Sequence, residues 1–267
     1  MIFNCHTHIG DAFVSLPKGK WSVEELFAPP HGLKHRMLSK ASEQIIIDGM
    51  KKAIDIMEKC GTSVFIDFRE GGVDGVKMLI EAVKGRKIFP IILARPKELE
   101  YDEREVDELL STADGIGISS IYDWNEEDVK MLAEHTHEKR KIFALHASEI
   151  RREDIEKIIE LKPKFVVHLC RANEDDIKRI ADKGIGVVIC PRANSFFNLK
   201  PPVEYLLEYK VKVMLGTDNA MIVKPDIIEE MNFLIKNFNV PEEKAIDMIE
   251  KNPTNFFEEI LKKMLHS

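Results

Sequence analysis

Two histidines one residue apart stand near the start of the chain, in Cys5-His6-Thr7-His8. In an extended segment alternate side chains share a face, so His6 and His8 can both turn toward one ion. The same spacing recurs at His135-Thr136-His137, but inside a helical pattern, where residues two apart diverge by about 200°. That pair reads as solvated helix residues. His146 closes a second apolar run and Glu149 follows three residues later; His168 and Asp218 sit at the ends of two more. Burying such groups without partners costs kilocalories. Imidazoles and a carboxylate gathered at strand ends therefore point to a shared site, and their types are those that hold a divalent cation and let it acidify water toward a pKa of about 7.

The elements that must position them are short β-branched runs alternating with amphipathic stretches, the pattern of repeated βα units around a parallel sheet. Eight runs are legible: Ile2–Cys5, Ser63–Phe68, Phe89–Ala94, Gly115–Ser119, Ile142–His146, Phe165–Cys170, Gly186–Cys190 and Val211–Gly216. Helical patterns lie between them, as over Ile45–Cys60 and Glu126–Glu138, and two more follow, Pro225–Phe238 and Pro241–Leu265 with a break near Pro253. Eight alternations predict an α/β (β/α)8 TIM barrel filling residues 1–267 as a single domain, a usual size for that fold. The rival, an open doubly wound sheet, would carry a glycine-rich turn after an early strand, where this chain has His-Thr-His. A barrel brings the ends of strands one, five, six and eight to one mouth. The connection Ile9–Gln44 is long and rich in Pro, Gly and aromatic residues, and is expected to rise over that mouth as a lid; His31 and His35 within it could reach the site.

In this order and on these strands, His6, His8, His146, His168 and Asp218 make the chain resemble the amidohydrolase superfamily, over a span from Ile2 to Asn252-Pro253-Thr254. His146 with Glu149, Cys190-Pro191-Arg192-Ala193-Asn194, and Gly216-Thr217-Asp218-Asn219 are most similar to the cytosine, adenosine and S-adenosylhomocysteine deaminases and related chlorohydrolases. Ala193 departs from the serine usual there and puts substrate contacts on that loop in question. The resemblance implies one metal held by His6, His8, His146 and Asp218, with His168 bonding the nucleophile or substrate. It also implies Glu149, His168 and Asp218 as catalytic residues for hydrolytic deamination of an amino-substituted heterocycle. A two-metal site would need a bridging Lys or Glu from strand three or four. Strand four, Gly115–Ser119, has neither, and strand three ends in Ala94-Arg95, a cation. One Zn²⁺ per chain is expected, with Fe²⁺ the alternative, since this donor set suits both.

Arg69, Arg95, Arg192 and Asn194 are candidate substrate contacts, the arginines suited to an anionic group and equally to salt bridges with loop acids. A formal charge of −7 excludes a phosphate-tracking nucleic-acid binder. The partner expected is a small molecule. With no signal or membrane span legible, the protein is expected to be cytoplasmic, and no flanking residues for a β-sandwich are evident; oligomeric state is left open. The four cysteines lack CxxC spacing and read as reduced thiols. Three other readings remain: a cyclic amide or lactone hydrolase of the same superfamily, a TatD-like metal-dependent phosphoesterase, and a non-catalytic metal-binding barrel.

Overall fold

The computed structural model describes residues 1–265. Its strands are β1 (Ile2–His8), β2 (Thr62–Arg69), β3 (Phe89–Ala94), β4 (Gly115–Ile118), β5 (Ile142–Ala147), β6 (Phe165–His168), β7 (Gly186–Ile189), β8 (Val213–Leu215) and β9 (Asp218–Asn219). All pair in parallel in the order β8-β7-β6-β5-β4-β3-β2-β1-β9. β8 and β9 are two halves of one run: the first pairs with β7, and the second with β1 through Thr7 opposite Asp218 and His8 opposite Asn219. The sheet thereby closes on itself into the expected α/β barrel.

The predicted eighth strand, Val211–Gly216, is thus corrected to two short pieces. Between them Gly216 N–H donates to Ile189 O and Thr217 N–H to His6 O. A Cβ on Gly216 would lie 2.6 Å from the His6 Cβ, so the chain passes β1 only where it carries no side chain. Asp218 then takes φ 64°, an uncommon value outside glycine.

Alternating strand residues fill the barrel, among them Phe3, Cys5, Val64, Ile66, Leu93, Phe165, Val167 and Met214, with Phe257 packed against them. The opposite faces pack against helices. The helix Glu43–Lys59, capped by Ser42, turns Ile46, Met50, Ile54 and Met57 inward at helical spacing. After β9 come helices Ile227–Phe238, Glu242–Ile249, Lys251–Phe256 and Glu258–Leu265. The predicted break near Pro253 falls instead at Glu250 and Phe257. Pro253 lies in the first turn of its helix, where its missing N–H leaves no bond unmade.

The Ile9–Gln44 connection is more ordered than a loop. It holds a 3₁₀ turn at Ile9–Asp11, the helix Val23–Phe27 with a Ser22/Glu25 capping box, and the helix Leu33–Lys40. Leu26 and Val14 bury against Met221 from beyond β9, tying the segment to the last strand. His135 and His137 are not solvated as expected. His135 is 8% exposed and bonded to the Tyr101 hydroxyl and Asp107, and His137 donates to Leu161 O. Both fasten their helix to its neighbours. No described helix is long and apolar enough to cross a membrane.

Candidate active site

At the carboxyl ends of β1, β5 and β9 the Nε2 atoms of His6 and His146 lie 3.1 Å apart, and those of His8 and His146 3.2 Å apart. Asp218 Oδ1 is 3.4 Å from His6 Nε2 and 3.7 Å from His8 Nε2. Ligands bound tetrahedrally at about 2.0–2.1 Å sit roughly 3.3 Å from one another, so these four contacts have the spacing expected between neighbours in one coordination shell. The far side of each ring explains why. His146 Nδ1 donates to Ile118 O at 2.9 Å, and His8 Nδ1 faces Glu70 Oε1 at 2.8 Å and Phe68 O at 3.1 Å. With the hydrogen on Nδ1, two Nε2 lone pairs confront each other, an arrangement that a shared cation resolves. His6 Nδ1 is buried with no partner among the described residues.

His168, with φ 80° at the end of β6, completes a group in which ligand atoms of His6, His146, His168 and Asp218 all lie within 4.8 Å. Its Nδ1 accepts from Asn194 Nδ2 at 3.1 Å, which leaves the ring hydrogen on Nε2, 3.7 Å from Glu149 Oε1. Its inward nitrogen is therefore a donor, unlike those of His8 and His146.

Burial sets the protonation states. It drives the His6 pKa down to about 3 and that of His146 well below its ordinary value, so both are neutral and ready to bind a cation. Burial alone would raise Asp218, but the His6 hydrogen bond and the field of His168, His6 and His8 hold it well below the usual carboxylate range. Glu149 has no such compensation: burial pushes it up to about 7, against the weaker pull of His168. Beneath His8, Glu70 is kept ionised despite burial by Lys34, then His8 and Arg69. Lys34 Nζ contacts Glu70 and donates to Asn219 Oδ1 at 3.0 Å.

A cavity of about 310 Å³ opens over this cluster, lined by His8, His146, His168, Glu149 and Asp218, and by Val23, Phe27, Lys34 and His35 of the Ile9–Gln44 segment. His35 Nε2 donates to Phe27 O, and burial holds its pKa to about 3. Of the residues singled out as substrate contacts, only Arg95 reaches the cavity.

The other three are corrected. Arg69 is fully buried with NH2 2.6 Å from Glu70 Oε2 and NH1 3.2 Å from Asp67 Oδ1; it fills the space over Gly10, where a Cβ would lie 2.1 Å from its NH2. Arg192 spends its guanidinium on Glu230, Glu229 and the carbonyls of Lys224 and Asp226, clamping the helix Ile227–Phe238. Asn194 touches His168 and does not line the cavity. Sequence reasoning missed Lys34 and Glu153. A lysine in a polar helix carries no sign that it turns inward. Glu153 lies four residues beyond Glu149 in a charged stretch, yet it is 4% exposed and lines the cavity.

The amidohydrolase family model matches residues 2–258. An uncharacterized protein of Methanocaldococcus jannaschii is 32% identical over 271 residues, covering 94% of this chain and 70% of its own length. A 5-methylthioadenosine/S-adenosylhomocysteine deaminase of Caldicellulosiruptor saccharolyticus is 26% identical over 252 residues, 81% of this chain and 55% of the deaminase. Among solved structures, guanine deaminase from C. acetobutylicum with bound guanine superposes with a TM-score of 0.80 at 14% identity, over 96% of this chain and 72% of that one, a likeness of fold. With the family pattern met along nearly its whole length, the chain belongs to the amidohydrolase family and is a hydrolase of carbon–nitrogen bonds.

Proposed function

We propose that this protein deaminates an amino-substituted heterocycle by hydrolysis, with one divalent cation per chain, Zn²⁺ ahead of Fe²⁺, held by His6, His8, His146 and Asp218. The observation that carries the reading is Glu149: a carboxyl lining the cavity, 3.7 Å from His168 Nε2, that burial keeps half-protonated near neutrality. An acid–base residue works best with its pKa near the operating pH. The cation, when bound, supplies a water acidic enough to lose its proton near pH 7.

The protein's own groups do the rest. Asp218, ionised, accepts the proton of the attacking water. His168, its Nε2–H fixed by Asn194, donates to the attacking oxygen and steers it toward the carbon bearing the amino group. Glu149 in its acid form protonates the ring nitrogen next to that carbon. Left ionised, Glu149 takes the proton of the newly added hydroxyl and passes it to the departing nitrogen, which leaves as ammonia, and the proton held by Asp218 then restores its acid form. The Ile9–Gln44 segment, through Val23, Phe27 and Lys34, acts as the lid that shields these transfers from bulk water.

The likeness to the deaminase of Caldicellulosiruptor saccharolyticus supports this chemistry. The phosphoesterase reading finds less support, because β3 runs into Arg95 and β4 into Ser119, neither able to bridge two cations. Ammonia release from amino-substituted purines, pyrimidines and pterins by the Zn²⁺-loaded protein tests the proposal. Turnover of at least one with a single metal per chain is the expected result, and silence across the panel from fully loaded protein rejects it.

A further inference from the structure

Three cations cluster at the β2 and β3 side of the cavity, and two of them are neutralised. Arg69 has Asp67 and Glu70, and Lys34 has Glu70. Arg95 is different. Its side chain is 8% exposed and lines the cavity, yet no carboxylate stands within ion-pair distance among the described residues. Its Nε is buried without a partner among the described residues.

The nearby acids do not fill the gap. Glu70 is occupied by Lys34, His8 and Arg69. Asp123, which lines the same cavity, bonds to the Ser119 side chain, and burial raises its pKa. Glu98 acts on Arg95 only at longer range. Burial lowers the Arg95 pKa, as it must for a cation with no counter-ion at hand, but a guanidinium stays charged in a protein.

A buried, unpaired guanidinium is expensive, and a fold retains one where a partner arrives from outside. We infer that Arg95 is the specificity determinant of this site and that the substrate carries an anionic arm, a carboxylate or a phosphate, which the guanidinium receives. This rests on the deaminase reading for the reacting end alone. The heterocycle lies at Glu149, at the end of β5, and the arm reaches toward the end of β3, two strands away in the sheet. A planar guanidinium offers two parallel N–H groups to either anion, so its geometry sets the class and leaves the choice within it to experiment.

The test uses the full Zn²⁺-loaded chain and two small probes, benzoate and phenyl phosphate, with binding measured by calorimetry in the wild type, Arg95→Gln and Arg95→Lys. At least one probe should bind the wild type tenfold or more tightly than Arg95→Gln, with Arg95→Lys in between; the tighter probe identifies the arm. Arg95→Gln should melt no lower than the wild type, since it removes an unpaired buried charge. Equal binding of both probes to wild type and Arg95→Gln, as from contact with the cation alone, overturns the inference. So does a marked fall in the Arg95→Gln melting temperature, the mark of a structural arginine. No turnover is needed, so the two proposals fail separately. A silent ammonia assay with Arg95-dependent anion binding rejects deamination alone, whereas deamination with Arg95-independent binding rejects the anionic arm alone.

Discussion

Glu149 and His146 stand three residues apart and should fail in different ways when altered. Glu149→Gln keeps the size of the side chain and replaces none of the four proposed ligands, so bound metal should stay at the wild-type level while kcat falls about 10²-fold or more. His146→Ala should lose metal and activity together, as elemental analysis beside the ammonia assay will show. The sign of the pH effect follows from Glu149, whose acid form is the working one in the proposed mechanism. With its pKa raised by burial to about 7, the rate should fall as pH rises through that value, and the falling limb should vanish in the residual activity of Glu149→Gln. At this scale the sequence exposed the groups that burial makes costly: His6, His8, His146, His168, Glu149 and Asp218 are polar residues at or just past the ends of apolar runs. It could not show which arginine has a partner. Arg69 and Arg95 each follow a strand, and only the arrangement of Asp67, Glu70 and Lys34 decides that the first is neutralised and the second is not.

Lys34 carries the burden at the scale of elements, because it fastens the helix Leu33–Lys40 to Glu70 and Asn219 over the cavity. Lys34→Met leaves Glu70 short of its strongest partner in a buried site, which should cost roughly 3 kcal/mol of stability. Hydrogen exchange across residues 23–40 should accelerate and KM should rise more than kcat falls; unchanged exchange there would show that the segment is held by Leu26 and Val14 alone. The strands were legible because both their faces are covered, so each reads as an unbroken apolar run, and Phe89–Ala94 keeps its predicted bounds. The two helices of the Ile9–Gln44 segment were not. Val23–Phe27 has five residues and Leu33–Lys40 eight, too short for a period to emerge, and their fold comes from the Ser22 cap and from packing on Met221.

For the molecule as a whole, the cation and the fold should stabilise each other, since a ligand that binds only the native state adds RT ln(1 + [L]/Kd). Free Zn²⁺ at a hundred times Kd should add about 2.7 kcal/mol, read as a melting temperature that falls on chelation and returns on reloading. Asp11 supplies a pH dependence of its own. Burial raises its pKa from 3.8 to about 8, so between those values the folded chain keeps a proton that the unfolded chain has lost. Stability should therefore decline as pH climbs through that window, and Asp11→Asn should be more stable than the wild type at pH 9 by roughly 1 kcal/mol or more, with little difference at pH 4. Equal denaturation midpoints at pH 9 would refute this. Barrel closure itself was foreseen from eight alternations, but not that its final stave would be split at Gly216, a break that depends on how closely the backbone passes His6. The pairing of β9 with β1 has a bearing on biosynthesis. Thr7 and His8 are synthesised more than two hundred residues ahead of Asp218 and Asn219, which zip against them. Until then His6 and His8 have no such carboxylate beside them and the hoop stays open, so capture of the proposed metal and ring completion should arrive as one event, with the cation as the clasp between two segments made far apart in time.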